Sequence, residues 1–173
     1  LAVETDRAMR SCRAEWGIYI QADEVLENGG AARLRSAIQH HDGDARVEAL
    51  LVDYRHFYGG FDTVALDRHW YRREVRAVRL DSALGIHSFR DAQGFRVGPA
   101  DARVRAAVSG VVMHHYGWAR PAWALYRKRE QDRTIYEGER AKDPERPLLP
   151  WFPGLRPFAG RHPEPVAAWI AAR

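Results

Sequence analysis

A chain of 173 residues with 46% hydrophobic and 29% charged side chains is long enough for one globular domain with a real core, and too mixed in character for disorder. No apolar run approaches the roughly 20 residues of a bilayer-spanning helix, and the single cysteine, Cys12, rules out an internal disulfide framework and points to a reducing compartment, the cytoplasm. The net charge of +4 comes from 27 Lys+Arg interspersed with 23 Asp+Glu, without the basic stripe and interleaved aromatics of a nucleic-acid binder, and Arg, which dominates the basic residues, favours flat anions such as phosphate and carboxylate.

The chain opens at Leu1 without an initiator Met and turns helical at once, which predicts that an N-terminal portion of a longer protein precedes it. Ala2, Thr5, Met9 and Cys12 recur on one stripe, the spacing of an amphipathic helix over residues 2–13 with Cys12 as a small buried member. Trp16-Gly17-Ile18-Tyr19-Ile20 reads as a short, buried and central strand, rich in β-branched and aromatic residues. Gln21, Ala22, Asp23 and Glu24 then place two carboxylates beyond its carboxyl end, where open α/β sheets gather ligands. Such oxygens can hold a divalent cation, and the cation a phosphate. The same pair also suits the start of a helix, where carboxylates favour the N-terminal dipole.

After the break at Asn28-Gly29-Gly30, the positions of Ala31, Leu34, Ala37 and Ile38 predict a helix ending near His40-His41. Neighbouring helix residues point about 100° apart, so these two histidines suit a solvated helix end better than a ligand pair. Residues 47–59 and 70–80 read as strands. The second sets Tyr71, Val75 and Leu80 with Arg72, Arg76 and Arg79 in a two-faced, partly wet strand, which can present a row of arginines to an anionic ligand or be a plain solvated face. Residues 81–99 read as a charged loop around Asp91. Residues 104–108 and 111–116 suggest two short strands joined by a tight Ser109-Gly110 turn. A helix is expected from Ala122 to about Gly138 with Trp123 and Tyr126 facing inward, followed by an irregular wrap holding Pro147, Pro150, Pro153 and Pro157, and a closing helical turn at residues 166–171. The expected division is residues 1–140 and a Pro-rich extension, 141–173.

Taken in order, ETDRAM, WGIYIQADEVL, YRHFYGGFD, RHWYRREVR, FRDAQGFR and HHYGWARP, with HPEPVAAWI near the end, resemble bacterial glycosyltransferase family 2 proteins of the GT-A fold. The resemblance implies an α/β, Rossmann-like nucleotide-diphospho-sugar transferase domain lacking its first, base-binding strands, with a Pro-rich helical tail. It also implies a nucleotide-sugar donor, a divalent cation (Mn²⁺ or Mg²⁺) and an inverting transfer to a hydroxyl of a glycan or lipid-linked acceptor. Gln21-Ala22-Asp23 stands where the family has an Asp-x-Asp metal motif. Asp23 thereby inherits the metal role, and Gln21 replaces the first carboxylate as a donor contact. His115 matches a late histidine that completes the metal and diphosphate site, with His114 in the place of an ordinary strand residue. Arg72, Arg73 and Arg76 are candidates to share the phosphate charge. Inversion needs a carboxylate base, for which Asp91 and Glu74 are the candidates, although Asp91 equally suits a cap on its own turn. The rival readings are a metal-dependent hydrolase or nuclease using Asp23, Glu24, His40, His41 and His115, and a non-catalytic arginine-rich module for acidic glycans or other anions. Nucleic acid is not an expected partner, and the expected location is cytoplasmic, with peripheral membrane contact compatible with a lipid-linked acceptor.

Overall fold

Short apolar segments separated by glycine and charged turns build a mixed α/β fold. The computed structural model describes residues 1–90, 94–135, 149 and 151–172. In chain order the elements are α1 (Ala2–Ser11), β1 (Trp16–Ile18), β2 (Glu24–Leu26), α2 (Gly30–His41), β3 (Ala49–Tyr58), β4 (Thr63–Ala65), β5 (Arg73–Arg79), β6 (Ile86–Phe89), β7 (Gly94–Val97), β8 (Ala102–Arg103), β9 (Ala106–Trp118), α3 (Ala122–Ile135), β10 (Leu155–Pro157) and α4 (Glu164–Ala171). They fall into two compact units: Leu1–Tyr54 with Tyr71–Met113, and Arg55–Trp70 with His114–Arg173. The first part of β3 and of β9 belongs to the first unit and the remainder to the second.

In the first unit the strands follow the order β1-β5-β3-β9-β2. β5 runs antiparallel to both β1 and β3. The Glu48 amide meets the Arg105 carbonyl, and three residues further on the Leu51 carbonyl accepts the Ser109 hydroxyl, so β3 and β9 run in the same direction. On one face α2 delivers Leu34, Ala37 and Ile38 to a core with Leu50, Val52, Ala77, Val111 and Met113. On the other, Ala49, Val75, Val78 and Phe95 pack with Met9 of α1, and β6, β7 and β8 form a separate antiparallel sheet. Alternation along β3 feeds both cores, which is why it reads as a nearly continuous apolar run.

In the second unit the later part of β3 pairs with β4, and β4 with β10, all antiparallel. Phe57, Val64 and Ala119 form the centre, with Phe61, Tyr116 and Phe158 against them. Leu125 is buried on α3.

Several expectations need correction. β1 is not central: it ends the strand order of its unit, and Ile18 and Ile20 are 51% and 45% exposed. Trp16, Ile18 and Ile20 share one face by the period-2 rule, and among the described residues that strand pairs with β5 alone. Glu24 neither trails a strand nor starts a helix; it begins β2. Within the 81–99 stretch, residues 86–89 and 94–97 are antiparallel strands whose register joins Ile86 to Val97 and Phe89 to Gly94, their alternation hidden in the sequence by His87 and Arg96. Residues 106–118 form one strand instead of two: Gly110 takes a left-handed φ of 69° within it and does not reverse the chain. Trp123 and Tyr126 are 66% and 55% exposed, and Leu125 is the buried residue of this part of α3. Cys12 follows α1 as its exposed cap residue. Pro147, Pro150 and residues 136–138 lie outside the described residues, and Pro157 closes β10.

Gly110 has open space where a Cβ would stand, so the backbone conformation alone sets the effect of a substitution. Gly110→Ala is expected to destabilise the protein by about 1–2 kcal/mol in denaturant unfolding, the cost of a left-handed L-residue.

Candidate functional site

The site begins with a slip in register. Leu50 faces Ala77 across the β3–β5 ladder, but Leu51 faces Val75, so Arg76 is the extra residue of a β-bulge. The bulge interrupts side-chain alternation, and Val75, Arg76, Ala77 and Val78 are all buried in succession. Arg76 is thereby turned inward onto Glu24, with Nη2 2.8 Å from Oε1 and Nε 3.2 Å from Oε2. Neither side chain is more than 2% exposed. The rings of Tyr19 and Tyr54 lie 5.4 and 5.2 Å from the guanidinium carbon, a cation–π arrangement on both sides. Glu24 Oε1 also accepts the Tyr54 hydroxyl at 2.6 Å, and Oε2 accepts the Gln21 backbone N–H at 3.0 Å. All the acceptor positions of this carboxylate are therefore engaged. Burial opposes its charged form, but the bonds and charge of Arg76, with the Gln21 and Tyr54 bonds, outweigh it and hold the carboxyl below its usual range.

Gln21-Ala22-Asp23 is the turn that this carboxylate grips. The Glu24 amide donates to the Gln21 carbonyl at 3.0 Å, while the Glu24 side chain accepts from the Gln21 amide. Ala22 is exposed and Asp23 half-buried. Tyr71, 41% exposed, stands edge-on to Tyr54 with ring centroids 4.9 Å apart. Burial pushes its hydroxyl pKa up; Arg76 opposes this, and the carboxylates of Glu24, Glu74 and Asp23 add to it. Asp23, Tyr71 and Glu74 thus share one electrostatic neighbourhood. Glu74, half-buried on β5, also has a raised pKa: burial leads, Arg76 and Arg96 pull it down, and Glu24 adds to the rise.

The expected row of arginines is dispersed. Arg72 is exposed. Arg73 pairs with Asp53 at 2.6 Å, and Arg76 is committed to Glu24 and to the Val75 carbonyl. Arg79 donates to the His41 and Asp42 carbonyls at the end of α2 and lies over the Trp16 ring, a structural cap.

The second unit holds the buried histidines. His114 and His115 are both buried on β9, as is His56 on β3. His115 Nδ1 and His56 Nδ1 are 2.9 Å apart, so one donates and the other accepts. Arg55 Nη1 lies 3.3 Å from His114 Nε2, and a guanidinium only donates, so the imidazole carries its proton on Nδ1. From there it donates to the Tyr116 hydroxyl, 3.1 Å away, which donates to His162 Nδ1 at 2.9 Å. Burial lowers the pKa of His162, with a bond to the Phe61 backbone opposing. Reading His114 as an ordinary strand residue misses this chain, and no spacing could have revealed it, because Arg55, His114 and His162 come from three distant segments. His40 is exposed at the end of α2 and stacks edge-on with His41, as expected of a helix end.

Asp23 and Glu74 belong to the first unit and His115 to the second, while Asp91 lies outside the described residues. Among the described residues no three His, Cys, Asp or Glu side chains converge to hold a metal ion. Gln21 offers only a neutral amide, and the Glu24 carboxylate is saturated, so the donor set around Asp23 does not fit a cation held by these side chains. Among the described residues no helix is long and apolar enough to cross a membrane. Searches against protein-family models and against curated proteins found no match.

Breaking the buried pair from one side leaves an uncompensated charge. Arg76→Met is expected to cost about 3–5 kcal/mol in denaturant unfolding, and the double change Arg76→Met with Glu24→Leu to recover only part of that loss, because the Tyr54 hydroxyl and the Gln21 amide then lose their acceptor. Because Glu24 titrates below its ordinary value of 4.5, its contribution is present above that pH and lost as pH falls through the folded value. Acid unfolding curves of the double variant should be flatter than those of the parent in that range.

Proposed function

We propose that this chain carries donor-binding machinery of a GT-A-type glycosyltransferase, moving a sugar from a nucleotide diphosphate to a hydroxyl acceptor with inversion. The observation that carries this reading is the buried Arg76–Glu24 pair clamping Gln21-Ala22-Asp23, the turn that stands in the place of an Asp-x-Asp motif. Burying two charges costs several kcal/mol per ion before pairing offsets it, and here the pair shapes a short polar turn at the surface. Preorganised polar groups of this kind stabilise charge developing on a leaving diphosphate.

In the proposed reaction Asp23 and Gln21 orient the donor, and exposed Arg72 supplies positive charge to the diphosphate. The acceptor oxygen bonds to the anomeric carbon as the bond from that carbon to the diphosphate oxygen breaks, and the diphosphate leaves with the bonding pair. Glu74 takes the acceptor proton, and its raised pKa makes its carboxylate a stronger base than an ordinary one. No step is assigned to Mn²⁺ or Mg²⁺. The arginine-rich binding module is the weaker reading, since Arg73, Arg76 and Arg79 each already hold a specific partner.

The test is calorimetric titration with UDP, GDP, CDP and dTDP, each with and without Mn²⁺, on the chain expressed with any coding sequence that precedes Leu1. Binding of one nucleotide and transfer from its sugar are expected; no binding in any arm rejects the reading. Asp23→Asn should keep the fold and lower turnover by roughly 10²-fold or more.

Glu74→Gln should lower turnover on a similar scale, about 10²-fold, through loss of the base. Its stability effect has the opposite sign. A carboxyl with a raised folded pKa contributes stability below its ordinary value of 4.5, and that contribution is lost as pH rises through the folded value. Thermal unfolding of Glu74→Gln at neutral pH should therefore show a midpoint equal to or above that of the parent.

A further inference from the structure

We propose that Glu24 is a positioning residue: held by Arg76 and Tyr54, it sets the Gln21-Ala22-Asp23 turn in the geometry that engages the donor. The proposal rests on the donor-binding reading of that turn. A carboxylate buried to neutralise an arginine also needs donors for its remaining lone pairs, but that need does not require one of them to come from the turn three residues before it. In Glu24 one does. Tyr54, from β3, occupies the second acceptor position of Oε1, and Oε2 takes the backbone N–H of Gln21.

Residue 24 therefore grips residue 21 twice, accepting from its amide through the side chain and donating to its carbonyl through the backbone. The two bonds close a small ring around Ala22 and Asp23 and restrict the rotations available to both. Arg76 anchors that ring to β5 and Tyr54 anchors it to β3, so the turn moves with the sheet instead of with solvent. The Tyr54 ring also carries Tyr71 at its edge, joining a second, partly exposed aromatic to the same anchor. Orientation of this kind acts on rate, since a misplacement of about 1 Å can cost on the order of 10²-fold.

Two variants separate this role from a core ion pair. Glu24→Gln keeps size and shape, but either orientation of the amide sets its NH₂ against an N–H of Arg76, and only one acceptor oxygen remains for four donors. Tyr54→Phe keeps the ring against Arg76 and Tyr71 and removes only the hydroxyl. Each is measured for amide hydrogen exchange, thermal midpoint, nucleotide-diphosphate affinity and sugar transfer, beside Asp23→Asn. For both variants the Gln21 amide should exchange at least about tenfold faster while β3 amides stay protected. Turnover should fall by about tenfold or more, with a smaller change in the donor KM.

Should Glu24→Gln fail to fold, Tyr54→Phe decides alone. Unchanged exchange at Gln21, or turnover within about twofold of the parent, overturns the positioning role. If that occurs while Asp23→Asn is impaired, the donor-binding reading stands without it. A silent Asp23→Asn with no nucleotide bound sinks both.

Discussion

The desolvated contact between Arg76 and Glu24 is the constraint around which the first unit is arranged. Two charges with almost no exposure are tolerable only when every donor and acceptor they carry is matched. Meeting that demand draws in β5 for the arginine, β3 for the Tyr54 hydroxyl and the turn before β2 for the Gln21 amide. The slip in the β3–β5 register falls at this arginine and interrupts the alternation of side chains along β5. The saturated carboxylate and the fixed turn follow from a single pairing requirement.

A second arginine organises polar groups in the other unit by the same rule. Arg55 can only donate, so its contact with His114 determines which nitrogen of that ring carries the proton, and the direction passes on through Tyr116 to His162. Aromatic rings surround this chain closely. Phe57 stacks on Tyr116 at 4.7 Å, and Arg55 lies over Phe158. In both units an arginine supplies the donors and aromatic side chains supply the low-polarity walls, conditions under which directed hydrogen bonds gain strength.

This arrangement bears on how a polar turn is held at a surface. Asp23 and Tyr71 are partly open to solvent, while the groups that fix their surroundings are buried. Flexible polar side chains near water are poor at holding geometry unless packed neighbours restrict them. Here the restriction comes from strand-borne side chains whose own rotamers are limited by the core. The half-buried Glu74 sits on one of those same strands, so acid–base character and position share a scaffold.

The sequence by itself determined the elements whose signal is local. Helical spacing identified α1 and α2, a long apolar run identified β3, and alternation identified β5, because hydrophobic periodicity is written residue by residue. It also placed the carboxylates of Asp23 and Glu24 beside the apolar Trp16–Ile20 run, whereas Gln21 and Glu74 are candidates only through the family resemblance. Only the tertiary structure decided which of the two carboxylates at 23 and 24 is buried. It alone decided that Arg76 turns inward through a bulge, that Gly110 lies within a strand without reversing it, that β1 lies at an edge, and that Leu125 rather than Trp123 is buried. Each of these depends on a partner far away in the chain: Glu24 lies 52 residues from Arg76, and Arg55 lies 59 from His114. A register slip of one residue leaves composition and local pattern unchanged while exchanging the faces of a strand, so no reading of neighbours along the chain can detect it.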